Sequence, residues 1–557
     1  MVGKSELLTK LKFIPDIAAE ILAARGLTPD EIEKFLYPDY AADLHDPFLL
    51  SDMSIAVERI TLAVGRRERV VVYGDYDIDG ITASAVLIEA LTALGLEVTS
   101  YIPDRFEEGY GINLTALESL KIQGAQLVIS VDCGITSVDE AEWAKSHGLD
   151  LIITDHHSPA PQLPGALAVI NPKREGDAYP FKDLAGVGVA FKLVQALQIS
   201  LGIPAAGQEK WMLDLVALGT ICDVVPLVGE NRALASFGLK VLQRTRRLGL
   251  RALAGVGKVE IEDITAYEVG FVLGPRMNAA GRLEHASRSL ELVLTKDPQR
   301  AEIIATELEE LNRQRRSDQE TILLQANEMA QEFADDNVLV LAHPDWSHGV
   351  VGIVASKLAE KWRRPVLLAQ VLDVHIKGSA RSVAGFNMVE ALRSQAHLLS
   401  KFGGHYFAAG YSFAPENLSA LRHGLNNYFA ANMVTGREEP TQKPAEICWN
   451  NCEKIDPVLM EGLQLLEPHG NSNPRPVVCL EGLKVERVRR VGNNSQHLSL
   501  KLVDNLSRPI GAIGFGLAER YPDITEGVLI TAQGTLTKNK FQGRTNIQMV
   551  LSDITHE

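Results

Sequence analysis

From residue 69 onward, short apolar runs alternate with stretches whose apolar residues recur every three or four positions. RVVVYGDYD (69–77), VTSYIPD (98–104), LVISVDCG (127–134) and LIITDHH (151–157) are rich in Val, Ile and Thr and predict strands. ITASAVLIEALTALG (81–95), LTALESLKIQ (114–123) and VDEAEWAKSHG (138–148) lie between them and predict helices. Strands of this length separated by single helices predict an α/β fold with a doubly wound, mostly parallel sheet. That unit is assigned to residues 51–298, behind a leader of short helices over 1–50 broken by the Pro- and Asp-bearing FLYPDYAADLHDPFLL.

A long helical pattern over 299–335 carries Ile304, Leu308, Leu311, Ile322, Ala326, Met329 and Phe333 at 3–4 spacing, interrupted by the charged NRQRRSDQE. A surface helix would satisfy this pattern, but its place between two α/β stretches points to a connector. A second, smaller α/β domain runs from NVLVLAHPDW over 336–430, followed by the polar, Pro-bearing linker TGREEPTQKPAE. Over 441–557, VVCLEGLKVERVRR, HLSLKLVD, PIGAIGFG, GVLITAQGTLTKN and RTNIQMVLSDI predict five strands and a C-terminal OB-like β-barrel. Such barrels often grip single-stranded nucleic acid; a barrel that only packs against its neighbours fits the pattern too.

Composition changes little in this picture. The chain has 557 residues, too many for one core, which agrees with several domains. It has no run of eighteen apolar residues, which argues against a membrane span, and MVGKSELLTKLKF lacks the features of a secretory signal. Five scattered cysteines form neither a disulfide framework nor a paired zinc motif, so a reducing cytoplasm is expected. The net charge of −16 does not by itself suggest a nucleic-acid binder. Binding follows the local field in a groove, however, and bound cations count toward that field.

The acids change the picture most. Asp75, Asp77 and Asp79 end the first strand, Asp132 the third, and Asp155, His156 and His157 the fourth. One Asp at a strand end is ordinarily a cap or turn former. Ligands of an open parallel sheet bind beyond the carboxyl ends of its strands, so these groups are expected to meet in one crevice. Unrelieved, their charges would repel, and divalent cations are the economical resolution. Carboxylates with imidazole and no thiolate suit two Mn²⁺ or Mg²⁺ ions, one aspartate bridging, the arrangement that hydrolyses phosphoesters. Asp223, after an apolar helical stretch, reads from spacing alone as a helix-end residue.

Anion-binding signals accompany the acids. Arg105 and Tyr110 lie in IPDRFEEGYG, the tyrosine between glycines where it would stack on a base. Arg276, Asn278 and Arg282 lie in GPRMNAAGR, Ser379 and Arg381 in KGSARS, and His405 after the glycine pair of KFGGHYFAAG. Each is weak alone. His348, in WSHGVVGIVASKL, reads equally well as a helix-capping histidine.

Taken in order, GDYDIDG, IPDRFEEGYG, VDCG, TDHH, LAGVGVAFKL, LGTICDVVPL, GPRMNAAGRL, WSHGVVGI, KGSARS and GGHYFAAG resemble the DHH phosphoesterase superfamily, and within it the RecJ single-strand-specific exonucleases. The resemblance implies a DHH domain and a DHH-associated domain facing each other across a cleft. It implies Asp77, Asp79, Asp132, His156 and Asp223 as metal ligands, with Asp75 and Asp155 supporting or occasional ligands. His157, and with it Asp75, is expected at the chemical step, near the scissile phosphate. Arg105, Tyr110, Arg276, Ser379, Arg381 and His405 are implied contacts to the strand, Ser379 and Arg381 holding its 5′ end.

The implied activity is 5′→3′ degradation of single-stranded DNA in recombination and repair. The chain is expected to act as a monomer, with a single-strand-binding protein and a helicase as partner classes. In EPHGNSNPRP the family more often has an aromatic at His469 and Gly or Glu at Ser472. Tyr73 stands where the superfamily's pyrophosphatases carry a ligand histidine. Two readings compete: a DHH phosphodiesterase for nanoRNA or cyclic dinucleotides, and an inactive scaffold of a replication complex.

Overall fold

The computed structural model describes residues 16–432, 445–492, 494–541 and 544–556. The first fifteen residues of the leader, and all but the last two residues of the expected linker (435–446), lie outside the described residues.

β1 (Arg69–Gly74), β2 (Glu97–Tyr101), β3 (Leu127–Val131), β4 (Asp150–Thr154) and β5 (Ala168–Ile170) form a sheet in the order β2-β1-β3-β4-β5, parallel throughout. Alternate residues of a strand face opposite sides. Val70 and Val72 therefore join the core made with helices Ile78–Ala93 and Gly186–Leu201, while Val71 and Tyr73 join the one made with Leu114–Ile122 and Val138–Ser146. Burial on both faces is why these strands read as nearly unbroken apolar runs. β1 is followed in sequence by β2 on one side and by β3 on the other, so the strand order switches between β1 and β3 and a crevice opens at their carboxyl ends. β5 is three residues long, too short for its alternation to register in the sequence.

β6 (Leu339–His343), β7 (Val366–Val371), β8 (Ile376–Arg381), β9 (Lys401–Gly404) and β10 (Ala408–Phe413) form a second sheet in the order β6-β7-β8-β10-β9. Only the β6–β7 pair is parallel. The helix Pro298–Glu332 joins the two units. Asp297 caps it by accepting the Gln299 and Arg300 amides, and proline takes the first helical position. Ile304, Ala305 and Leu308 lie in the core of the first unit, and Ile322, Ala326 and Ala330 in a core of the second. The charged interruption marks the span between those cores.

The C-terminal part contains β11 (Ile447–Trp449), β12 (Val478–Val491), β13 (His497–Val503), β14 (Pro509–Gly514), β15 (Leu529–Phe541) and β16 (Arg544–His556). β12 pairs with both β13 and β15, which closes β12-β13-β14-β16-β15 into the expected five-stranded barrel, with β11 added outside β12. The leader belongs to this barrel. Ala18, Ile21, Leu22, Ile32 and Leu36 share a core with Leu459, Leu463, Leu483 and Leu500, and Arg25 pairs with Glu446 at 2.6 Å. Arg232, buried, ties the first unit to both. Its guanidinium lies 3.5 Å over the Phe35 ring and donates to the carbonyls of Phe35 (2.6 Å), Leu465 (3.2 Å) and Glu467 (2.9 Å). Ser472 has φ +60, a left-handed conformation that glycine adopts without cost. His469 lines a hollow of about 220 Å³ with Tyr267, Phe271 and Arg475, between the barrel side and the first unit. Among the described residues no helix is long and apolar enough to cross a membrane.

Candidate active site

The acids meet where the strand order switches. Asp77 caps the helix Ile78–Ala93, its Oδ1 accepting the Gly80 amide at 3.1 Å, and so places Asp79 in the first turn. Asp79 accepts the amides of Gly186 (2.6 Å) and Val187 (2.8 Å), the start of helix Gly186–Leu201, so helix N-termini fix its carboxylate. Asp132, one residue past β3, takes φ +61, a left-handed conformation that aspartate tolerates better than most side chains. A Cβ at residue 186 would stand 2.5 Å from Asp132 Oδ1, so only glycine lets that helix approach the carboxylate. His156 Nε2 lies 3.1 Å from Asp132, 3.6 Å from Asp223 and 3.9 Å from Asp79. Three groups of potential ligand atoms result: Asp75, Asp77 and Asp132; Asp79, His156 and Asp223; and Asp132, His156 and His157. Asp132 belongs to two of them.

Burial, and then the charges of neighbouring acids, push these carboxyls up: Asp79 to about 7, Asp223 to about 9, Asp75 and Asp132 well above the ordinary range. Burial and then the neighbouring His157 push His156 down to about 3, leaving it neutral as a metal ligand must be. Asp75 Oδ1, Asp132 Oδ1 and both ring nitrogens of His156 are buried without a hydrogen-bond partner. Buried polar atoms are rarely left so. Hard carboxylate oxygens with imidazole fit Mn²⁺ or Mg²⁺, and the donor set therefore suits the two ions expected from the sequence.

A pH dependence follows. Carboxyls raised in the folded state stabilise the metal-free protein fully below about pH 4, and that contribution is lost as pH rises through about 7 to 9. Protons and cations compete for the same oxygens. The rise in Tm on adding Mn²⁺ is thus expected to grow between about pH 5.5 and about pH 8.5. Thermal unfolding with and without Mn²⁺ measures it, and an increment that shrinks over that range contradicts the competition.

Asp155 sits differently. It belongs to none of the three groups. Its Oδ2 accepts the Ile135 amide (2.9 Å) and its Oδ1 the His156 amide (2.7 Å), and the same Oδ1 lies 2.7 Å from His157 Nδ1. Burial raises it, but the hydrogen bonds and charge of His157 outweigh burial and hold it below the usual range. Its Oδ1 is engaged in orienting the two histidines and its Oδ2 holds the Ile135 amide. Against burial, the bond to Asp155 raises His157. With Nδ1 so engaged, Nε2 is the nitrogen left for the crevice. Tyr110 donates its hydroxyl to the Asp132 carbonyl (3.3 Å) and lies 3.1 Å from His157 Nδ1, so it braces that ring, with half its surface exposed for a base. Asn171, just after β5, donates to the His157 carbonyl at 2.9 Å, and the charge of Lys173 acts on His156 and Asp223. Sequence reading missed both; the NPK triplet after the short strand was their only signal.

Cations stand beside the acids. Burial and the charges of Arg105 and Arg315 push Arg282 down to about 9, and burial and Arg105 lower Arg381. Arg105 stacks over the Tyr76 ring at 4.8 Å. Arg381 donates to Ser356 (3.1 Å), and a Cβ at residue 352 would stand 3.2 Å from both Arg381 and Ser379. The two α/β units meet here: Arg282 donates to the Gly349 carbonyl (3.1 Å), Lys377 to the Phe106 carbonyl (3.3 Å), and Phe106 packs edge-on against His348, 4.6 Å between centroids. Asn278, Arg282 and Arg315 line a cleft of about 400 Å³ with Val224, Ile353 and Asn471. His405 is exposed at the β9–β10 turn, where Ala408 stands opposite Arg381. Arg276 is buried, pairs with Glu309 of the connector helix at 2.6 Å and donates to the Val272 carbonyl at 2.8 Å, contacts that pack the helix Gly274–Leu283.

A parallel sheet with convergent acids past its strands, facing a smaller α/β unit with arginines across a cleft, defines a DHH-type phosphoesterase. Residues 69–220 match the DHH family N-terminal domain, 335–431 the DHHA1 domain and 449–553 the RecJ OB domain. The single-stranded-DNA-specific exonuclease RecJ of Bacillus subtilis is 39% identical over 554 residues, covering 99% of this chain and 69% of the relative. Its counterpart in Haemophilus influenzae is 35% identical, covering 91% of each chain. The crystal structure of Thermus thermophilus RecJ in complex with Mn²⁺ matches with a TM-score of 0.81 at 31% identity, over 100% of this chain and 78% of that one. The chain belongs to the RecJ family of single-stranded-DNA-specific exonucleases.

Proposed function

We infer that this protein is a metal-dependent exodeoxyribonuclease that hydrolyses single-stranded DNA 5′→3′ and serves recombination and repair. The observation that carries the chemistry is the set of buried, unpartnered carboxylate and imidazole atoms at the strand-order switch. Two divalent ions, Mn²⁺ or Mg²⁺, would be held by Asp75, Asp77, Asp79, Asp132, His156 and Asp223, and supply water activation and charge stabilisation at the phosphate. The chain's own residues do the rest. Arg105, Arg282 and Arg381 present guanidinium groups that relieve their mutual repulsion by taking phosphate oxygens. Ser379 and Arg381, at the far wall of the cleft, suit the terminal 5′ phosphate. His157, oriented through Nδ1 by Asp155, holds Nε2 for a proton or a phosphate oxygen at the scissile bond. Tyr110 keeps that ring in place and offers its face to the adjacent base. The barrel, of a class that binds single strands, extends the contact beyond the cleft. This reading carries with it a cytoplasmic setting, action as a monomer, and cooperation with single-strand-binding protein and a helicase.

Digestion of single strands labelled at either end tests the reading. With Mn²⁺, 5′ label is expected to be released first as mononucleotide, and chelation to stop the release. First release of 3′ label overturns the polarity. Faster turnover of a dinucleotide than of a long single strand favours the nanoRNA-type reading, and no release at all favours the scaffold.

A further inference from the structure

Asp223 is seated unlike the other acids. Asp75, Asp132 and Asp155 follow strands, whereas Asp223 ends the helix Leu213–Cys222 and opens a short turn to the helix Gly229–Leu242. The next residue, Val224, has φ +61. That conformation is uncommon for any residue with a side chain and an outlier for a β-branched one. Packing does not account for it, since Val224 is 63% exposed.

What holds the turn comes from the barrel side. Asn471 donates its side-chain amide to the Val224 carbonyl at 2.8 Å, and its own carbonyl accepts the Leu227 amide at 2.9 Å. Gly470 lies so close that a Cβ there would stand 2.7 Å from the Leu227 side chain. The loop bearing Asn471 is anchored independently of the turn. Asn473, buried, donates to the carbonyls of Leu466 and Pro468, each at 2.8 Å, and accepts from Arg25 at 2.7 Å. Arg232 donates to Leu465 and Glu467 in the same loop.

We propose that Asn471 is a positioning residue for the metal centre, holding the left-handed turn at Val224 and thereby aiming Asp223 at His156. The proposal rests on the reading of Asp223 as a metal ligand. Residues that orient a ligand without touching the metal typically govern affinity by about 10- to 100-fold. One of the two ions is then completed only when the barrel-side loop is docked, so the domain that receives the strand also sets the occupancy of the catalytic centre.

The test is calorimetric titration of Mn²⁺ into full-length protein, with steady-state kinetics on single strands at limiting and saturating Mn²⁺. Asn471→Asp keeps the shape and removes the donor to Val224. It is expected to weaken one Mn²⁺ by about 10- to 100-fold, and to lower kcat at limiting Mn²⁺ with recovery at saturation and KM for the strand unchanged. Val224→Gly, which adopts the left-handed turn freely, is expected to restore most of the affinity in the Asn471→Asp background, a coupling that a general folding defect would not produce. Wild-type Mn²⁺ binding in Asn471→Asp, no rescue by Val224→Gly, or a raised KM with Mn²⁺ binding intact overturns the proposal. Asp223→Ala separates the two layers: if it leaves both ions bound, the ligand reading fails. If it removes one ion while Asn471→Asp removes none, the positioning role alone fails.

Discussion

Asp132→Ala is expected to abolish release of nucleotides from single strands, by about 10³-fold or more even at saturating Mn²⁺. The magnitude follows from its place. Asp132 lies in two of the three ligand groups, so its loss removes an oxygen from two of the three places where ligand atoms converge. No neighbour can replace it. Its backbone is held left-handed at the end of β3, and the start of helix Gly186–Leu201 closes over the carboxylate at a glycine. Asp132→Asn keeps volume and loses charge, and is expected to fall nearly as far. Nucleotide release and the number of Mn²⁺ bound per chain, measured together, check both variants. Activity within tenfold of the wild type, with two ions still bound, contradicts a shared ligand.

Removing residues 445–557 is expected to do far more than weaken strand binding. The leader helices bury Ala18, Ile21, Leu22, Ile32 and Leu36 in the core they share with the barrel. At about 1.5–3 kcal/mol for each large apolar side chain, uncovering the four larger ones costs about 6–12 kcal/mol, as much as the stability of a whole domain. Arg232 would also lose the carbonyls of Leu465 and Glu467 while remaining charged in a largely closed site. The truncated chain is therefore expected to aggregate or to lose its leader to limited proteolysis. A soluble truncation, with residues 16–36 protected and kcat unchanged, contradicts this.

β1, β3 and β4 were legible as nearly unbroken apolar runs because both faces of those strands are buried, and Asp75, Asp132 and Asp155 were legible because each follows such a strand directly. The strands of the barrel were legible by a different sign, the alternation of buried and exposed residues along them. β5 and β11, three residues each, fall below any periodic signal. The docking of the leader on the barrel was not legible at all: amphipathic helices record that they need a partner, and nothing in their spacing says which. The divergence of Asp155 from its neighbours has a similar cause. Sequence spacing puts a carboxylate at a strand end, but which oxygens amides already hold depends on the Ile135 and His156 backbone around it. The pairing of Arg276 was not legible either, because a charged residue in a glycine-bearing motif looks the same whether it faces a cleft or Glu309 of the connector helix.

The pairing of Arg25 with Glu446 joins residues 421 positions apart. During synthesis at about 5–20 residues per second, the leader emerges roughly 20–80 s before the segment that covers it. The parallel sheet completes its own core from residues 50–308 in that interval, while the first helices wait with their apolar faces exposed. The helices between residues 16 and 36 are thus sealed last. Any nascent chain that stalls before the barrel carries an uncovered amphipathic pair at its N-terminal end, a surface of the kind chaperones and proteases recognise.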